Sequence, residues 1–304
     1  MNRPAQEPMR PEQRLRYAAP SDRPRTSLPG GKTVAVWPVV NVENWLIDNP
    51  MPRQVLVAPT GAALQPDVAN WAWHEYGMRV GFWRFLGLFQ RLAIKPTLSV
   101  NGSVCTAYPR VAAAARDAGW EFMGHGFVQV PTHKVADQRA MIRETVATIR
   151  AFTGQPVAGW LGPGLTETLE TPDLLAEAGI RYIADFVVDD LPARLATAHG
   201  EVLTMPYSVE LNDIPVEMIQ HHAGGELARR AKLTADRLIA EATSGGPLRG
   251  PKVMCVAIHP YISGVPHRIA ALEALFEDLA ARPEVAFMQG REIAEWYLSS
   301  DDPT

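Results

Sequence analysis

Apolar residues dominate the run at 34–40, Val-Ala-Val-Trp-Pro-Val-Val, and polar side chains follow it at once. Apolar residues fall on both alternating faces of this run, which is typical of a parallel strand covered by helices. The run ends at Asn41, Glu43 and Asn44. Because strand ends of an α/β barrel open into the mouth where binding loops converge, Glu43 is a candidate catalytic residue. A structural hydrogen bond in a loop would account for the same residue equally well.

Similar apolar runs recur along the chain and alternate with helical patterns. They predict strands at 97–101, 120–123, 182–185, 203–209, 253–258 and 285–288, with a further strand end at Gly159-Trp160. Helical periodicity appears at 80–92, 108–118, 137–152, 171–177, 225–241, 268–281 and 290–298. About seven strands alternating with helices predict an α/β fold. The proline-rich segment 48–70 is predicted to be a long loop, which in a compact enzyme is usually functional.

Other polar residues stand at or just after predicted strand ends. His125 lies between two glycines that let the backbone turn towards the mouth, although a lone histidine is also a common structural donor. The loop around Gly162 can present backbone N–H groups to an oxyanion, and turn geometry explains it too. Asp189 and Asp190 can bind a cation or orient an amide, and they are also ordinary turn residues. The remaining polar residues at such positions are Asp185, Glu210, Asn212 and His259.

Composition limits the domain organisation and the classes of partner that the protein is expected to bind. The 304 residues suit one barrel-sized unit, and 47% apolar residues provide a sizeable core. A net charge of −4 without a basic tract favours neither nucleic acid nor an anionic membrane surface, and leaves a small-molecule substrate. Cys105 and Cys255 are too few for a disulfide framework or a thiolate metal site. The chain shows no apolar run that spans a bilayer and no signal peptide's apolar centre, so we expect a cytoplasmic protein.

Residues 1–31 are rich in Pro, Arg, Gln and Ser and have few apolar anchors, so they cannot build a core alone. We expect an extended arm before a single catalytic domain at 32–299 and a short tail at 300–304. Disorder of this arm and packing on a neighbouring subunit both remain open. The arm agrees with a homo-oligomer, dimeric or tetrameric.

The order of the strand-end residues resembles the polysaccharide deacetylase superfamily over about Thr33 to Tyr297. The resemblance implies a distorted (β/α)7 barrel, known as the NodB homology fold. In that family the first strand ends in a general base and a metal ligand, which match Glu43 and Asn44. Two metal-binding histidines four residues apart match His125 and Gln129, and a final histidine that acts as general acid matches His259.

The metal positions depart from the family pattern. Asn44, His125 and Gln129 offer one imidazole and two neutral amides, which compensate little of a cation's charge. No cofactor is therefore expected, although a weakly bound zinc is not excluded, and His133 or Asp185 are possible substitute ligands. The family's third motif is represented only by Trp160-Leu161-Gly162-Pro163-Gly164, which lacks its arginine.

Four short motifs resemble the allantoinase-like branch of this superfamily, which acts on cyclic ureides and imides. They are Asn41-Val42-Glu43, Gly159-Trp160, Asp189-Asp190-Leu191-Pro192, and Pro206-Tyr207 with Asn212-Asp213. The resemblance implies hydrolysis of a C–N bond in a small cyclic amide without a metal.

In that reaction Glu43 takes a proton from water and His259 protonates the leaving nitrogen. His125, Asn44 and backbone N–H groups near Gly162 would bind the oxyanion. The predicted substrate-binding residues are Asn41, Asn44, Trp160, Gly162, Asp185, Asp189, Asp190, Glu210 and Asn212.

Two other functions remain open. A metal-dependent N-deacetylase of an amino sugar predicts bound zinc and a long open groove, whereas the bulky Trp71, Trp73, Trp83 and Trp160 suggest a closed, flat pocket. A catalytically inactive barrel that binds a small ligand would explain the lost metal ligands. The retention of both Glu43 and His259 argues against it.

Overall fold

The fold is a curled, mainly parallel sheet surrounded by helices, in a computed structural model that describes residues 7–23, 26–58, 61–63 and 65–300. Along the described chain the sheet runs in the order β6-β7-β5-β4-β3-β2-β1-β8, and β9 also pairs with β1. This arrangement confirms the predicted α/β barrel. The strands are β1 Val34–Val42, β2 Thr97–Val100, β3 Glu121–Gly124, β4 Gly159–Trp160, β5 Tyr182–Ile183, β6 Ala193–Thr197, β7 Gly200–Thr204, β8 Lys252–Ile258 and β9 Val285–Phe287.

The helices follow most of the predicted segments. Two π-helical stretches, Gly77–Gly81 and Ile214–Ile219, interrupt or replace α-helix, and short 3₁₀ turns lie at Pro20–Asp22, Pro29–Gly31 and Thr132–Lys134. None of the described helices combines the length and apolarity needed to cross a membrane. The α-helices are α1 Pro11–Arg14, α2 Val68–Tyr76, α3 Phe82–Arg91, α4 Val104–Ala107, α5 Pro109–Asp117, α6 Gln138–Thr153, α7 Thr171–Glu177, α8 Glu226–Thr243, α9 Pro266–Ala280 and α10 Gly290–Ser300.

Strand β1 is central and buried along its whole length, as its apolar pattern predicts. It pairs with β8 from Val34 to Val40, while its other edge pairs with β9 at 34–36 and with β2 at 39–42. Pro38 falls between these two partners. Val36, two residues before Pro38, accepts a hydrogen bond from Met288 N at the edge of β1 that pairs with β9 and β2. Because alternate residues of a strand face the same edge, the backbone of Pro38 also faces it. The missing proline N–H therefore leaves no ladder bond unmade.

The two faces of the sheet carry different cores. Val34, Val36, Val40 and Val42 pack against the helices, whereas Trp37 and Val39 point into the barrel. Asn41 and Glu43 continue the inward series because side chains alternate along a strand. The polar end of β1 is thus placed inside the barrel mouth.

The antiparallel hairpin β6–β7 is absent from the sequence prediction, which had a loop at 188–192 followed by one strand at 203–209. The segment after β7 instead leaves the sheet and touches β8 through a single bridge between Asn212 and Ala257. This bridge closes the wall of the barrel and brings residues 211–213 beside the end of β8.

The described part of the N-terminal arm packs on its own barrel. Arg14, which is 3% exposed, donates to both carboxylate oxygens of Asp173 at 2.8 and 2.6 Å and to three backbone carbonyls. Leu28 enters the inner core, and Trp296 of α10 donates to Ser27 O. Residues 1–6 and 24–25 of the predicted arm, and residues 301–304 of the predicted tail, lie outside the described residues.

A buried polar network fills the amino-terminal end of the barrel. Glu121, at the start of β3, accepts hydrogen bonds from Thr97 Oγ1 at 2.8 Å and Tyr182 OH at 2.9 Å. The backbone N–H of Arg291 lies 3.1 Å from both of its oxygens. Burial raises the pKa of Glu121, because the hydrogen bonds to its carboxylate lower it by less.

Candidate active site

Glu43 lies at the centre of a cluster in the barrel mouth. Its carboxylate accepts from Trp45 Nε1 at 2.6 Å, Gln129 Nε2 at 2.9 Å and Tyr261 OH at 3.2 Å. Arg53 Nη1 stands 3.4 Å from each carboxylate oxygen. The Glu43 residue is only 1% exposed, so these partners replace water around the charge.

The neighbours of Glu43 decide its protonation state. Burial raises its pKa, but the positive charge of Arg53, together with His125 and His259, outweighs burial. The pKa of Glu43 is therefore held well below its usual range. At neutral pH the group is a carboxylate, as a proton acceptor must be.

His259 follows β8 directly and is held in one orientation by Asp213. Its Nδ1 lies 2.6 Å from Asp213 Oδ1, and its backbone N–H donates to Asp213 Oδ2 at 2.7 Å. Ser263 Oγ also donates to this carboxylate. A carboxylate accepts only, so Nδ1 carries a proton and Nε2 faces Glu43 Oε1 at 3.7 Å.

His125 approaches Glu43 from the end of β3. Its Nδ1 lies 2.7 Å from the carbonyl oxygen of Leu161, which can only accept, so Nδ1 carries the proton. Nε2 is 3.9 Å from Glu43 Oε1. In the neutral ring this nitrogen is an acceptor, and it becomes a donor only when the imidazole is protonated.

Two of the predicted amides line the wall below this cluster. Asn41 Nδ2 donates to Tyr207 OH at 2.9 Å, and Asn212 Nδ2 reaches the same hydroxyl at 3.3 Å. Asn44 turns aside, because its side chain donates to Ser103 Oγ at 2.9 Å. Asn41 and Asn212 therefore lie beside the Glu43 cluster, while the Asn44 amide is engaged elsewhere.

An aromatic wall covers one side of the cluster. The Trp45 ring stacks on His74 at 4.4 Å between centroids, and Tyr261 packs edge-on against Trp45 and Trp73. Burial is the main cause that lowers the pKa of His74 to about 4, so this imidazole is neutral at pH 7. Trp73 and His74, predicted to precede a helix, lie on α2 itself.

Glycines set the position of Tyr261. The π-helical stretch passes so close to the loop after β8 that a Cβ on Gly77 would lie 2.5 Å from Tyr261 N, and one on Gly81 2.1 Å from Pro260 O. Only glycine fits at such distances. In the sequence, Gly81 falls at the start of the predicted helix 80–92 and Gly77 just before it.

Trp160 is not in the mouth. It ends the short strand β4, just before the inward Leu161, and packs in the outer core, against the position where Gly124 lacks a side chain. Its 0% exposure leaves no surface for a ligand. The predicted substrate-binding role of Trp160 is therefore wrong in placement.

Gly162 and Asp185 bind each other. The Gly162 N–H lies 2.9 Å from both oxygens of Asp185, so this N–H is not free for an oxyanion. Burial raises the pKa of Asp185, and burial with the Asp185 charge raises that of Glu167. These residues shape the β4 and β5 ends and do not join the Glu43 cluster.

Asp189 and Asp190 lie at the opposite end of the barrel. The Asp190 carbonyl accepts from Val253 N, near the start of β8, and Asp189 is paired with Arg23 of the arm. Glu210 has a side chain 78% exposed that pairs with Arg230 at 3.8 Å. The predicted substrate-binding roles of these three residues do not fit their positions.

Sequence reasoning missed four residues of the cluster: Arg53, Trp45, Tyr261 and Asp213. Arg53 is the sole basic residue in the loop segment 48–70, a signal that was available. Asp213 belongs to the Asn-Asp motif, although only Asn212 had been given a role. Periodicity does not report these contacts, because Trp45 reaches Glu43 from just beyond the strand, Arg53 from an irregular loop, and Tyr261 and Asp213 meet their partners across long sequence separations.

A divalent metal does not fit the family's ligand positions here. Asn44 and Gln129 carry neutral amides, and Gln129 Nε2 donates to Glu43. His125 contributes one imidazole nitrogen. The described residues contain no group of three or more His, Cys, Asp or Glu that could hold a metal ion. His133, a suggested substitute, is exposed on a 3₁₀ turn.

Comparisons with known proteins agree with this architecture. A Schizosaccharomyces pombe protein named as a polysaccharide deacetylase is 25% identical over 239 residues, 73% of each chain. The crystal structure of a "probable polysaccharide deacetylase" from Pseudomonas aeruginosa PAO1 matches with a TM-score of 0.80, 25% identity, and coverage of 93% of this chain and 97% of that one. A Puue allantoinase matches with a TM-score of 0.80, 25% identity, and coverage of 93% and 96%. No family model matches the chain.

The fold, the Glu43 cluster and these relatives define the class of protein. It is a curled barrel whose relatives are named as polysaccharide deacetylases and an allantoinase, which are hydrolases of carbon–nitrogen bonds other than peptide bonds. Within that class, the chain is similar in sequence and fold to polysaccharide deacetylases of the NodB homology type, and an allantoinase is among its structural neighbours.

Proposed function

We propose that the protein hydrolyses a C–N bond in a small cyclic amide, a ureide, imide or lactam, by general acid and base catalysis without a metal. The observation that carries this proposal is the 3.7 Å separation between Glu43 Oε1 and His259 Nε2. A proton acceptor thus faces, within one buried cluster, the imidazole nitrogen that can receive its proton and pass it on. The allantoinase neighbour supports a cyclic ureide or imide.

The reaction follows from the two protonation states. Glu43, ionised, takes a proton from water as the water oxygen attacks the carbonyl carbon. Glu43 passes this proton to His259 Nε2, which lies 3.7 Å from its Oε1. Collapse of the tetrahedral intermediate breaks the C–N bond, and the imidazolium protonates the leaving nitrogen through Nε2. Asp213 holds the proton on Nδ1 and stabilises the imidazolium, so that Nε2 is the transferring atom. Each positioned proton transfer contributes about 10²–10⁴ in rate.

The aromatic wall supports a small, flat substrate. Trp45, Tyr261 and Ile262 are at most 2% exposed and enclose the cluster on one side. Asn41 and Asn212 supply amide groups to an amide edge of such a ring. A metal-dependent deacetylase of an amino sugar is the rival function, which the names of several relatives favour. It would need a cation that the amides at 44 and 129 hold poorly.

The test is turnover of a panel containing hydantoin, succinimide, allantoin and an N-acetylglucosamine oligomer. We expect hydrolysis of at least one cyclic amide, and losses of about 10²-fold or more in Glu43→Gln and His259→Ala. Glu144→Gln and His267→Ala, both exposed on helices, are the matched controls. Turnover unchanged in both site variants would disprove the mechanism. Deacetylation that depends on added zinc would favour the rival.

Assembly and compartment are further predictions. We propose a homo-oligomer, dimeric or tetrameric, in the cytoplasm, whose partner is a small-molecule substrate rather than nucleic acid or membrane. Light scattering at several protein concentrations and metal analysis of the purified protein test the assembly state and the absence of zinc. A monomer at all concentrations would contradict the first of these.

A further inference from the structure

The oxyanion donors suggested by the sequence are all engaged elsewhere. The Gly162 N–H binds Asp185, and Asn44 donates its backbone N–H to Asn101 and its side chain to Ser103. His125 points an acceptor nitrogen at the cluster, while its Nδ1–H donates to Leu161 O. An amide hydrolase still has to stabilise negative charge on the carbonyl oxygen, usually its largest catalytic contribution.

Arg53 is the cation nearest to Glu43 in the described part of the chain. Its Nη1 makes every described contact, with the two Glu43 oxygens and with Tyr261 OH at 3.1 Å. Nε and Nη2 make no hydrogen bond with any described residue. These two atoms form one edge of the guanidinium, a planar fork that suits a carbonyl or carboxylate.

Exposure places Arg53 on the solvent side of the cluster. Its side chain is 18% exposed, whereas that of Glu43 is 1% exposed. Trp45, Gln129 and Tyr261 are also buried, at 2%, 8% and 1%. A ligand that enters through the mouth therefore meets Arg53 before it meets the carboxylate.

We infer that Arg53, with the hydroxyl of Tyr261 beside it, binds the carbonyl oxygen of the scissile amide and stabilises the negative charge that develops there. This assignment rests on the proposed function and names its oxyanion-binding residue. Arg53 becomes a catalytic residue of the segment 48–70, which the sequence predicts only to be a functional loop.

The electron and proton balance closes without a metal. The water oxygen forms a bond to the carbonyl carbon, its proton passes to Glu43, and the carbonyl π pair moves to the oxygen held by Arg53. The proton on Glu43 passes to His259 Nε2. The pair then returns to re-form C=O, the C–N bond breaks, and the nitrogen takes the proton from Nε2, so that Glu43 and His259 regain their starting states. The ring-opened product carries a carboxylic acid that ionises, and one of its oxygens is the oxygen that Arg53 held.

A transfer of Arg53 from Glu43 to the substrate also strengthens the base. Burial raises the pKa of Glu43 and Arg53 is the largest cause that lowers it. When the guanidinium turns to the substrate oxygen, its charge lowers the pKa of Glu43 by less, and burial therefore raises that pKa. The carboxylate then accepts a proton from water more readily.

Product binding tests the assignment without relying on turnover. The probes are succinamate, hydantoate and allantoate, the ring-opened forms of succinimide, hydantoin and allantoin, titrated calorimetrically into wild type, Arg53→Gln and Arg53→Lys. We expect at least one probe to bind wild type and to bind Arg53→Gln about 10-fold or more weakly. Arg79→Gln, which alters an exposed arginine on the adjacent π-helical stretch, should bind as wild type does.

Equal affinity of wild type and Arg53→Gln, or binding of none of the three carboxylates to wild type, would overturn the assignment. Circular dichroism and thermal unfolding of each variant show that it is folded. Arg53→Lys keeps the charge but loses the fork, and we expect intermediate binding.

Kinetics separate this assignment from the proposed function. In Arg53→Gln and Tyr261→Phe we expect kcat to fall, by about 10²–10³-fold for Arg53→Gln, with little change in KM. If wild type hydrolyses a cyclic amide and Arg53→Gln has an unchanged kcat, the oxyanion assignment is wrong and the proposed function stands. If wild type hydrolyses no cyclic amide and carboxylate binding is still Arg53-dependent, the anion site stands and the proposed function fails.

Discussion

Two glutamates are buried on inward positions of the same barrel, one at each end, and their pKa values are shifted in opposite directions. Glu43 at the mouth has a pKa well below the usual range, whereas burial raises the pKa of Glu121 at the floor. Both accept hydrogen bonds from several donors. Glu43 also has Arg53 and two imidazoles around it, while the side-chain donors to Glu121 are the neutral Thr97 and Tyr182.

The comparison shows that burial and hydrogen bonding alone do not mark a functional carboxylate. Neutral donors satisfy Glu121 and let it tie three elements together, which is a structural task. A cation and paired histidines give Glu43 partners that can exchange protons or charge with a substrate. The charged surroundings, more than depth in the fold, distinguish the mouth from the floor.

The largest expected effect on stability comes from Glu121→Ala. The change leaves donors of Thr97, Tyr182 and Arg291 unpaired around a cavity, and should lower the free energy of unfolding by about 3–4 kcal/mol. Urea unfolding measures it. Turnover per folded molecule should stay near that of wild type, while Glu43→Ala should lose turnover. A loss of turnover in folded Glu121→Ala would erase the proposed difference between the two ends.

Asp213→Asn is expected to act on the mouth alone. An amide can donate to Nδ1 and so favour the wrong tautomer of His259, which should lower kcat by about 10²–10⁴-fold. Stopped-flow or steady-state rates across pH measure the effect. Ser263→Ala removes one donor to the same carboxylate and should cost far less. Equal losses in both variants would mean that Asp213 acts only through packing.

The two glutamates should also give opposite pH dependences of stability. The lowered pKa of Glu43 stabilises the fold above the ordinary value of 4.5, and this stability is lost as pH falls below it. The raised pKa of Glu121 stabilises the fold below 4.5, and this stability is lost as pH rises through the folded-state pKa. Glu121→Gln should therefore reduce the decline of stability above about pH 5. Glu43→Gln should reduce the loss of stability at acid pH. Denaturant midpoints across pH decide the matter, and parallel curves would refute it.

The smallest effect is expected from Asp189→Asn. This residue pairs with Arg23 at the end of the barrel away from Glu43, where a partly exposed ion pair contributes about 1 kcal/mol or less. Thermal unfolding should shift slightly and KM should stay within about twofold. A large rise in KM would restore the substrate-binding role suggested by the sequence.

Sequence alone determined the order of most strands and helices, and it picked out Glu43, His125 and His259. Buried strands have local signatures, and polar residues that directly follow them are carried to the mouth by the parallel topology. The sequence did not predict the hairpin β6–β7, because its edge strand β6 lacks a strong apolar pattern and buries only Leu195.

Only the tertiary structure decided which polar residues meet. It brought Arg53 to Glu43, set Asp213 behind His259, turned Trp160 into the outer core and left Asp189 and Asp190 at the far end. A loop's path and the facing of a two-residue strand depend on contacts with segments remote in sequence. The pKa of Glu43 depends on those same contacts, so the protonation state of the candidate base is a property of the fold and not of its local sequence.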